Sequence, residues 1–274
     1  MAQKEWDILE VRGDKESTEI LFAKLEKFLI GSLDVKEGID IYIKPDSETE
    51  VNYILNNFDS SDLSFKWKVL ENKDWHLMWQ KHFRSIIVKQ QIQILPDWDK
   101  DSNINKFQPI FIRPGMSFGT GHHETTYLML ESLLDYKDRD FSLLDLGSGS
   151  GILGIAGNKL GYSKISSVEY DEVCKNDFEY NLKINKCSKI NMHWMDATLW
   201  TDFNYDLVLA NIEKNILKNI LKNIGKGKAI FVLSGLLIED KGEMRGFLHD
   251  NSFSIKQIRQ RNEWIAITCV KDEE

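Results

Sequence analysis

A chain of 274 residues, 42% of them hydrophobic, has room for one large domain or two modest ones with a real core. Its net charge of −8 argues against free DNA or RNA as a direct partner, because phosphate binding favours a basic face. Cys174, Cys187 and Cys269 are scattered and odd in number, which fits reduced thiols and excludes a disulfide framework. The polar start Met1-Ala2-Gln3-Lys4 and the lack of any apolar run of ~18 residues point to the cytoplasm and away from a membrane.

In chain order, residues 6–11 alternate as a strand, and Ile20, Leu21, Leu25, Phe28 and Leu29 recur at helical spacing. That spacing predicts a helix over 17–30, with Gly31 as its C-cap. Residues 39–43 alternate again, 47–58 read as a second helix and 65–69 as another strand, with a further strand near Val35. The pattern predicts a small α+β domain of the ferredoxin-like kind over 1–70. Residues 71–112 read as a linker: an aromatic helix around 74–83, a hairpin at 86–95 and an extended piece at 107–112.

From 113 to 274, strands and helices alternate regularly, as in a parallel sheet covered on both faces. Strands are predicted at 142–146, 165–170, 190–195, 205–211 and 228–234, and helices at 124–135, 152–160, 172–185, 213–224 and 238–250. The end breaks the rule, because 253–260 and 263–270 are joined by a turn so short that they must run antiparallel. A Rossmann-like seven-stranded α/β sheet whose last strand is antiparallel resembles the class I S-adenosylmethionine-dependent methyltransferase fold.

Three strand ends carry chemistry. In Leu144-Asp145-Leu146-Gly147-Ser148-Gly149-Ser150-Gly151, glycines at alternate positions strip a strand-to-helix turn of side chains, so that Gly147 and Gly149 can lie against a cofactor. Glu169, twenty residues beyond Gly149, sits where a carboxylate can accept both ribose hydroxyls of an adenosine; the alternative is a surface carboxylate beside Asp171 and Glu172. Asp145 reads as a carboxylate that ties down the turn. Asn211 ends the apolar run 207–210, as a site residue or as the cap of the next helix.

A second glycine-rich stretch, Phe118-Gly119-Thr120-Gly121-His122-His123-Glu124-Thr125-Thr126, leads into a helix. Adjacent histidines chelate poorly and no third ligand is apparent, so no metal is expected. A loop folding over the cofactor fits better, with Phe118 packing on it and Thr125 or Thr126 bonding its amino-acid end; plain helix capping is the alternative.

Together these residues resemble the bacterial ribosomal protein methyltransferases that modify protein eleven of the large subunit. The resemblance rests on the Phe118–Thr126 loop, the Leu144–Gly151 turn, Ala210-Asn211-Ile212, Lys73-Asp74-Trp75 with Trp79, Leu233-Ser234-Gly235 and Glu263-Trp264. It implies transfer of methyl groups from S-adenosyl-L-methionine to lysine side chains and, in some members, to the N-terminal α-amine. It also implies cofactor contacts at Thr126, Gly147, Glu169 and Asn211 and a substrate-recognition role for residues 1–70; Asn211 is further expected to be catalytic, its carbonyl orienting the amine together with the loop's backbone. Glu169 stands where the family usually has aspartate. Residues 1–72 hold nine basic and sixteen acidic side chains and so nearly the whole net negative charge of the chain, which suits a basic ribosomal protein as partner, a plain solvated acidic surface being the alternative. A methyltransferase of the same fold acting on a small molecule or another protein is the alternative.

Overall fold

The computed structural model describes residues 5–25, 28–35, 38–44, 47–58, 63–71, 85–99, 106–115, 117–225 and 227–272. The chain divides into two compact units, Met1–Phe83 and Arg84–Glu274.

The first unit runs β1 (Glu5–Gly13), α1 (Lys15–Leu25), β2 (Leu29–Val35), β3 (Gly38–Ile43), α2 (Glu48–Asn56), β4 (Leu63–Glu71). Its strands lie in the order β2-β3-β1-β4 with every pairing antiparallel, which is the ferredoxin-like arrangement. The period-2 alternation turns Leu9, Val11, Ile39, Ile41 and Ile43 onto Leu21, Leu25, Val51 and Leu55 of the helices. The other sheet face carries the ion pairs Arg12–Asp40 (2.5 Å) and Lys68–Glu10 (3.6 Å). One expectation fails here. The helix predicted over 17–30 stops at Leu25, and Leu29 opens β2 opposite Ile43. Gly31 lies just past a register shift, paired with Tyr42, and caps nothing. Pairing with β3 overrides the local helical spacing. The linker helix expected around 74–83 lies outside the described residues.

The second unit opens with β5 (Ile86–Val88), β6 (Ile92–Pro96) and β7 (Gln108–Ile112), a small sheet in which β5 and β6 form the expected hairpin and β7 runs parallel to β6. There follow α3 (Glu124–Leu134), β8 (Leu143–Leu146), α4 (Ile152–Lys159), β9 (Ile165–Glu169), α5 (Val173–Ile184), β10 (Ile190–Trp194), β11 (Leu207–Asn211), α6 (Lys214–Lys222), β12 (Ile230–Leu237), α7 (Lys241–Asp250), β13 (Phe253–Arg261) and β14 (Trp264–Lys271). The large sheet has the order β10-β9-β8-β11-β12-β14-β13. Strands from β10 to β12 are parallel, and β14 inserts antiparallel between β12 and β13. The order reverses between β8 and β11, so a crevice opens at the carboxyl ends of these two strands. Among the described residues no helix is long and apolar enough to cross a membrane.

Strands read from sequence as part of a linker belong to this second core. Val88, Ile92, Ile94, Ile110 and Ile112 are fully buried against a cluster that includes Met129, Leu130 and Ile152. Exposing five such side chains forfeits about 1.5–3 kcal/mol each, comparable in sum to the whole stability of a domain. A fragment starting at Arg84 should therefore unfold cooperatively in urea, whereas one starting at Arg113 should show no cooperative transition.

Candidate active site

The crevice is a cleft of ≈ 310 Å³ whose walls include Phe118, Gly147, Gly149, Glu169, Tyr170, Asp196, Ala197, Asn211 and Ile212. Its floor is the turn between β8 and α4. Gly147 and Gly149 have φ of 70° and 50°, in the left-handed region that favours glycine. A Cβ on Gly147 would stand 2.3 Å from Ile212 Cγ2, and one on Gly149 2.5 Å from the Phe118 carbonyl oxygen. Both positions are thus closed to side chains by space as well as by φ.

Glu169, only 7% exposed, is no surface carboxylate. Its Oε2 accepts the Gly149 N–H at 2.9 Å, and its Oε1 accepts the N–H groups of Tyr170 (2.9 Å) and Asp171 (3.0 Å). An ionised carboxylate has about four acceptor positions, so one further donor fits without disturbing these bonds. The two ribose hydroxyls expected from sequence can both be accommodated only if one shares an oxygen with a backbone N–H.

Tying down the turn, expected of Asp145, is therefore done by Glu169. Asp145 is fully buried, opposite Ser167 in the β8–β9 register; neither of its oxygens nor Ser167 Oγ has a well-formed hydrogen bond, although the Gly154 N–H lies near enough to act on the carboxylate. Burial pushes its pKa up to about 7; the Gly154 N–H pulls the other way, and Glu169 adds to the rise.

Asn211 lies on the cleft wall with its Oδ1 buried and unbonded. It does not cap the next helix: Glu213 does, accepting the Asn215 N–H at 3.1 Å. Phe118 is 52% exposed at the mouth, edge-on to His123, which is edge-on to Trp264 at the start of β14 (ring centroids 5.2 and 4.7 Å). His123 Nδ1 accepts the Thr125 N–H, capping α3, so the ring proton sits on Nε2. Burial lowers the pKa of His123, against the fields of Glu124 and Glu263. Burial thus favours its neutral imidazole.

Thr125 and Thr126 are buried in the first turn of α3 and are not among the residues lining the cleft. The Thr125 hydroxyl is engaged by His123 Nδ1 at 2.7 Å, which leaves it poorly placed for the cofactor contact expected of it. Thr126 Oγ1 is buried without a partner. Asp196 and Tyr170 were missed from sequence. Asp196 follows the third strand of the parallel half, a strand end of the kind that bears ligand groups in open α/β sheets, and it caps the turn Ala197–Leu199 by accepting the Thr198 N–H at 2.8 Å.

A bare-backbone floor, a buried carboxylate beside it and a second carboxylate on the cleft wall suit a nucleoside with a polar tail. Joined to this strand order, they define a class I S-adenosylmethionine-dependent methyltransferase. The family model for ribosomal protein L11 methyltransferase (PrmA) matches residues 7–272. The chain is 30% identical to the ribosomal protein L11 methyltransferase of Prochlorococcus marinus strain MIT 9312, over 99% of this chain and 98% of that one. It is 26% identical to that of Dictyoglomus turgidum, over 98% of this chain and 86% of the relative. The crystal structure of ribosomal protein L11 methylase from Lactobacillus delbrueckii subsp. bulgaricus shares the fold, with a TM-score of 0.63 and 24% identity over 69% of this chain and 100% of that one. The chain belongs to the ribosomal protein L11 methyltransferase family.

The buried Asp145 sets a pH dependence of stability. Its folded pKa lies above the unfolded value of about 4, so between about pH 4 and 7 the folded chain holds a proton that the unfolded chain releases. Stability contributed by the protonated group is present below that window and is lost as pH rises through it. Urea unfolding should show Asp145→Asn lacking this loss, with a relative gain of about 2–4 kcal/mol at pH ~8 over pH ~5.

Proposed function

We propose that this methyltransferase modifies ribosomal protein L11 on lysine side chains and on its N-terminal α-amine, with the acidic first unit recruiting the basic substrate. The observation that carries the reading is the pairing of a methyl-donor cleft with a separate unit that bears most of the net charge. Residues 1–72 hold sixteen acidic side chains against nine basic ones, and two of the basic ones, Arg12 and Lys68, are already paired within the sheet. Among themselves the family relatives support the substrate by name.

S-adenosylmethionine, when bound, supplies a methyl group activated by its sulfonium. The residues present fit it: Gly147 and Gly149 leave the floor bare, Glu169 offers an acceptor to a ribose hydroxyl, and Asp196 offers one to an exocyclic amine. Phe118 covers the mouth, and Thr126 Oγ1 is an unused hydroxyl at the head of α3 for the amino-acid end.

The attacking nitrogen must be neutral, and a free lysine is neutral only about once in a few thousand molecules at pH 7. Removal of the amine from water lowers its pKa. Asn211 Oδ1, buried and unbonded on the cleft wall, accepts one N–H of the neutral amine and points its lone pair. His123 is a poor base for this step, because protonation at Nδ1 would break the cap of α3. Positioning and desolvation then supply what a strong base would otherwise supply.

Mass spectrometry of purified L11 incubated with enzyme and S-adenosylmethionine should show increments of one methyl group on lysines and the N-terminus; an unmodified L11 alongside a methylated small molecule or other protein overturns the substrate. The fragment Arg84–Glu274 should bind the cofactor yet leave L11 unmethylated, and the rate for the full chain should fall as salt screens the acidic unit. For the chemical step, Asn211→Ala should lower kcat by roughly 100-fold, well beyond any change in cofactor affinity, and full turnover in that variant removes the role.

A further inference from the structure

Asp177 and Asn181 on α5 and Asn185 at its C-cap recur every four residues, so they form one polar stripe along the helix. Asn181 and Asn185 are buried, at 0% and 2% exposure, where apolar side chains would ordinarily sit. Each side chain reaches the segment that leads from β7 to the Phe118 loop. Asn185 holds both polar groups of Phe111: its Oδ1 accepts the N–H at 2.9 Å and its Nδ2 donates to the carbonyl at 2.6 Å. Asn181 Oδ1 accepts the Arg113 N–H at 2.9 Å. Asp177 Oδ2 accepts the Ser117 hydroxyl at 2.9 Å and stands 2.3 Å from where a Gly115 Cβ would be.

The pitch explains the ladder. Four helical residues rise ~6 Å, and two extended residues span ~6.6 Å. Positions 185, 181 and 177 therefore keep step with 111, 113 and 115.

The middle rung does more than the others. Asn181 Nδ2 donates to the Ser150 carbonyl at 3.0 Å, inside the glycine turn. The same Ser150 donates its N–H to the Phe118 carbonyl (2.9 Å) and its hydroxyl to the Gly119 carbonyl (2.6 Å). One buried amide thus ties the start of the loop to the turn that floors the cleft, and the turn in its own right holds the loop at Phe118, which lines the mouth.

We infer that Asn181 is a positioning residue for methyl transfer: acting through Ser150, it sets the Phe118 loop over the methyl-donor cleft while touching neither cofactor nor protein substrate. The inference rests on the cleft being the S-adenosylmethionine site and not on the identity of the methylated protein.

The test is calorimetric affinity for S-adenosylmethionine, with cofactor KM, kcat and melting temperature, for Asn181→Ala, Ser150→Ala and the double variant of the full chain. Asn181→Ala, which loses two hydrogen bonds, should weaken cofactor binding about 5- to 30-fold, and Ser150→Ala about 2- to 10-fold. The double variant should fall short of the product of the two, because both residues hold one loop. A lowered melting temperature with unchanged cofactor affinity, KM and kcat in the folded variants makes Asn181 a core residue only and overturns the proposal. Should Asn181→Ala not fold, Ser150→Ala decides alone, since it removes a single hydroxyl: an unchanged cofactor KM refutes the coupling. Failure of the unmutated chain to bind S-adenosylmethionine would instead overturn the cleft assignment itself.

Discussion

Everything at the active site depends on one buried carboxylate answered by main-chain N–H groups. Glu169 joins three elements: the end of β9, the glycine turn through Gly149, and the segment that starts α5 through Tyr170 and Asp171. A charge in such a place is costly unless hydrogen-bonded, and hydrogen bonds to an ionised group are the stronger kind. The turn can meet the carboxylate only because its glycines bring bare backbone close. Glutamate in place of the family's aspartate adds one methylene. With that extra reach the side chain spans from its own strand end back to Gly149 while its other oxygen keeps the two N–H groups that follow it. The turn is held in its binding shape before any ligand arrives, so less ordering remains for binding to supply.

Two sets of unbonded polar atoms in the second unit differ in kind. Asp145 and Ser167 face each other across β8 and β9, under Gly154 and shut off from solvent. Burial of the charge raises the Asp145 pKa toward neutrality, so that its carboxyl can take up a proton there. Asn211 Oδ1 and Thr126 Oγ1 cannot change protonation state, yet both are buried without a partner. Buried polar groups that lack a partner call for an explanation. For Asn211 we propose that the explanation is its place on the cleft wall, where the N–H of an incoming amine would complete it.

The fold was legible from sequence wherever pattern and geometry are local. Strand–helix alternation from 124 onward reproduces the order of elements because each strand is a short apolar run and each helix keeps its period. The terminal hairpin followed from loop length alone. What escaped depends on partners far along the chain. Leu29 continues a helical spacing, but Ile43 recruits it into β2. The strands 86–112 look like a connector until their isoleucines are seen in the core of α3 and α4. At the site, Gly147, Gly149, Glu169 and Asn211 lie on one cleft, as their strand-end positions suggested, and Phe118 joins them from its glycine-rich loop. Thr125 looked equally suitable, but His123, two residues away, already occupies its hydroxyl. The stripe of Asp177, Asn181 and Asn185 shows in sequence as an i, i+4 repeat, yet its purpose shows only once Phe111 and Arg113 are paired with it.

The net charge of the sequence is unevenly placed. Beyond residue 72 the sequence is nearly neutral, because acidic and basic side chains almost balance there. The cleft is nonetheless locally acidic, lined by Glu169, Asp171 and Asp196 and, among the described residues, by no lysine or arginine, which suits a cationic methyl donor. Attraction of a basic protein needs the opposite sign of field, spread over a surface and acting across about a Debye length. We propose that the net negative charge of residues 1–72 supplies that field, whereas the carboxylates that line the cleft, Glu169, Asp171 and Asp196, act at short range on what the cleft binds.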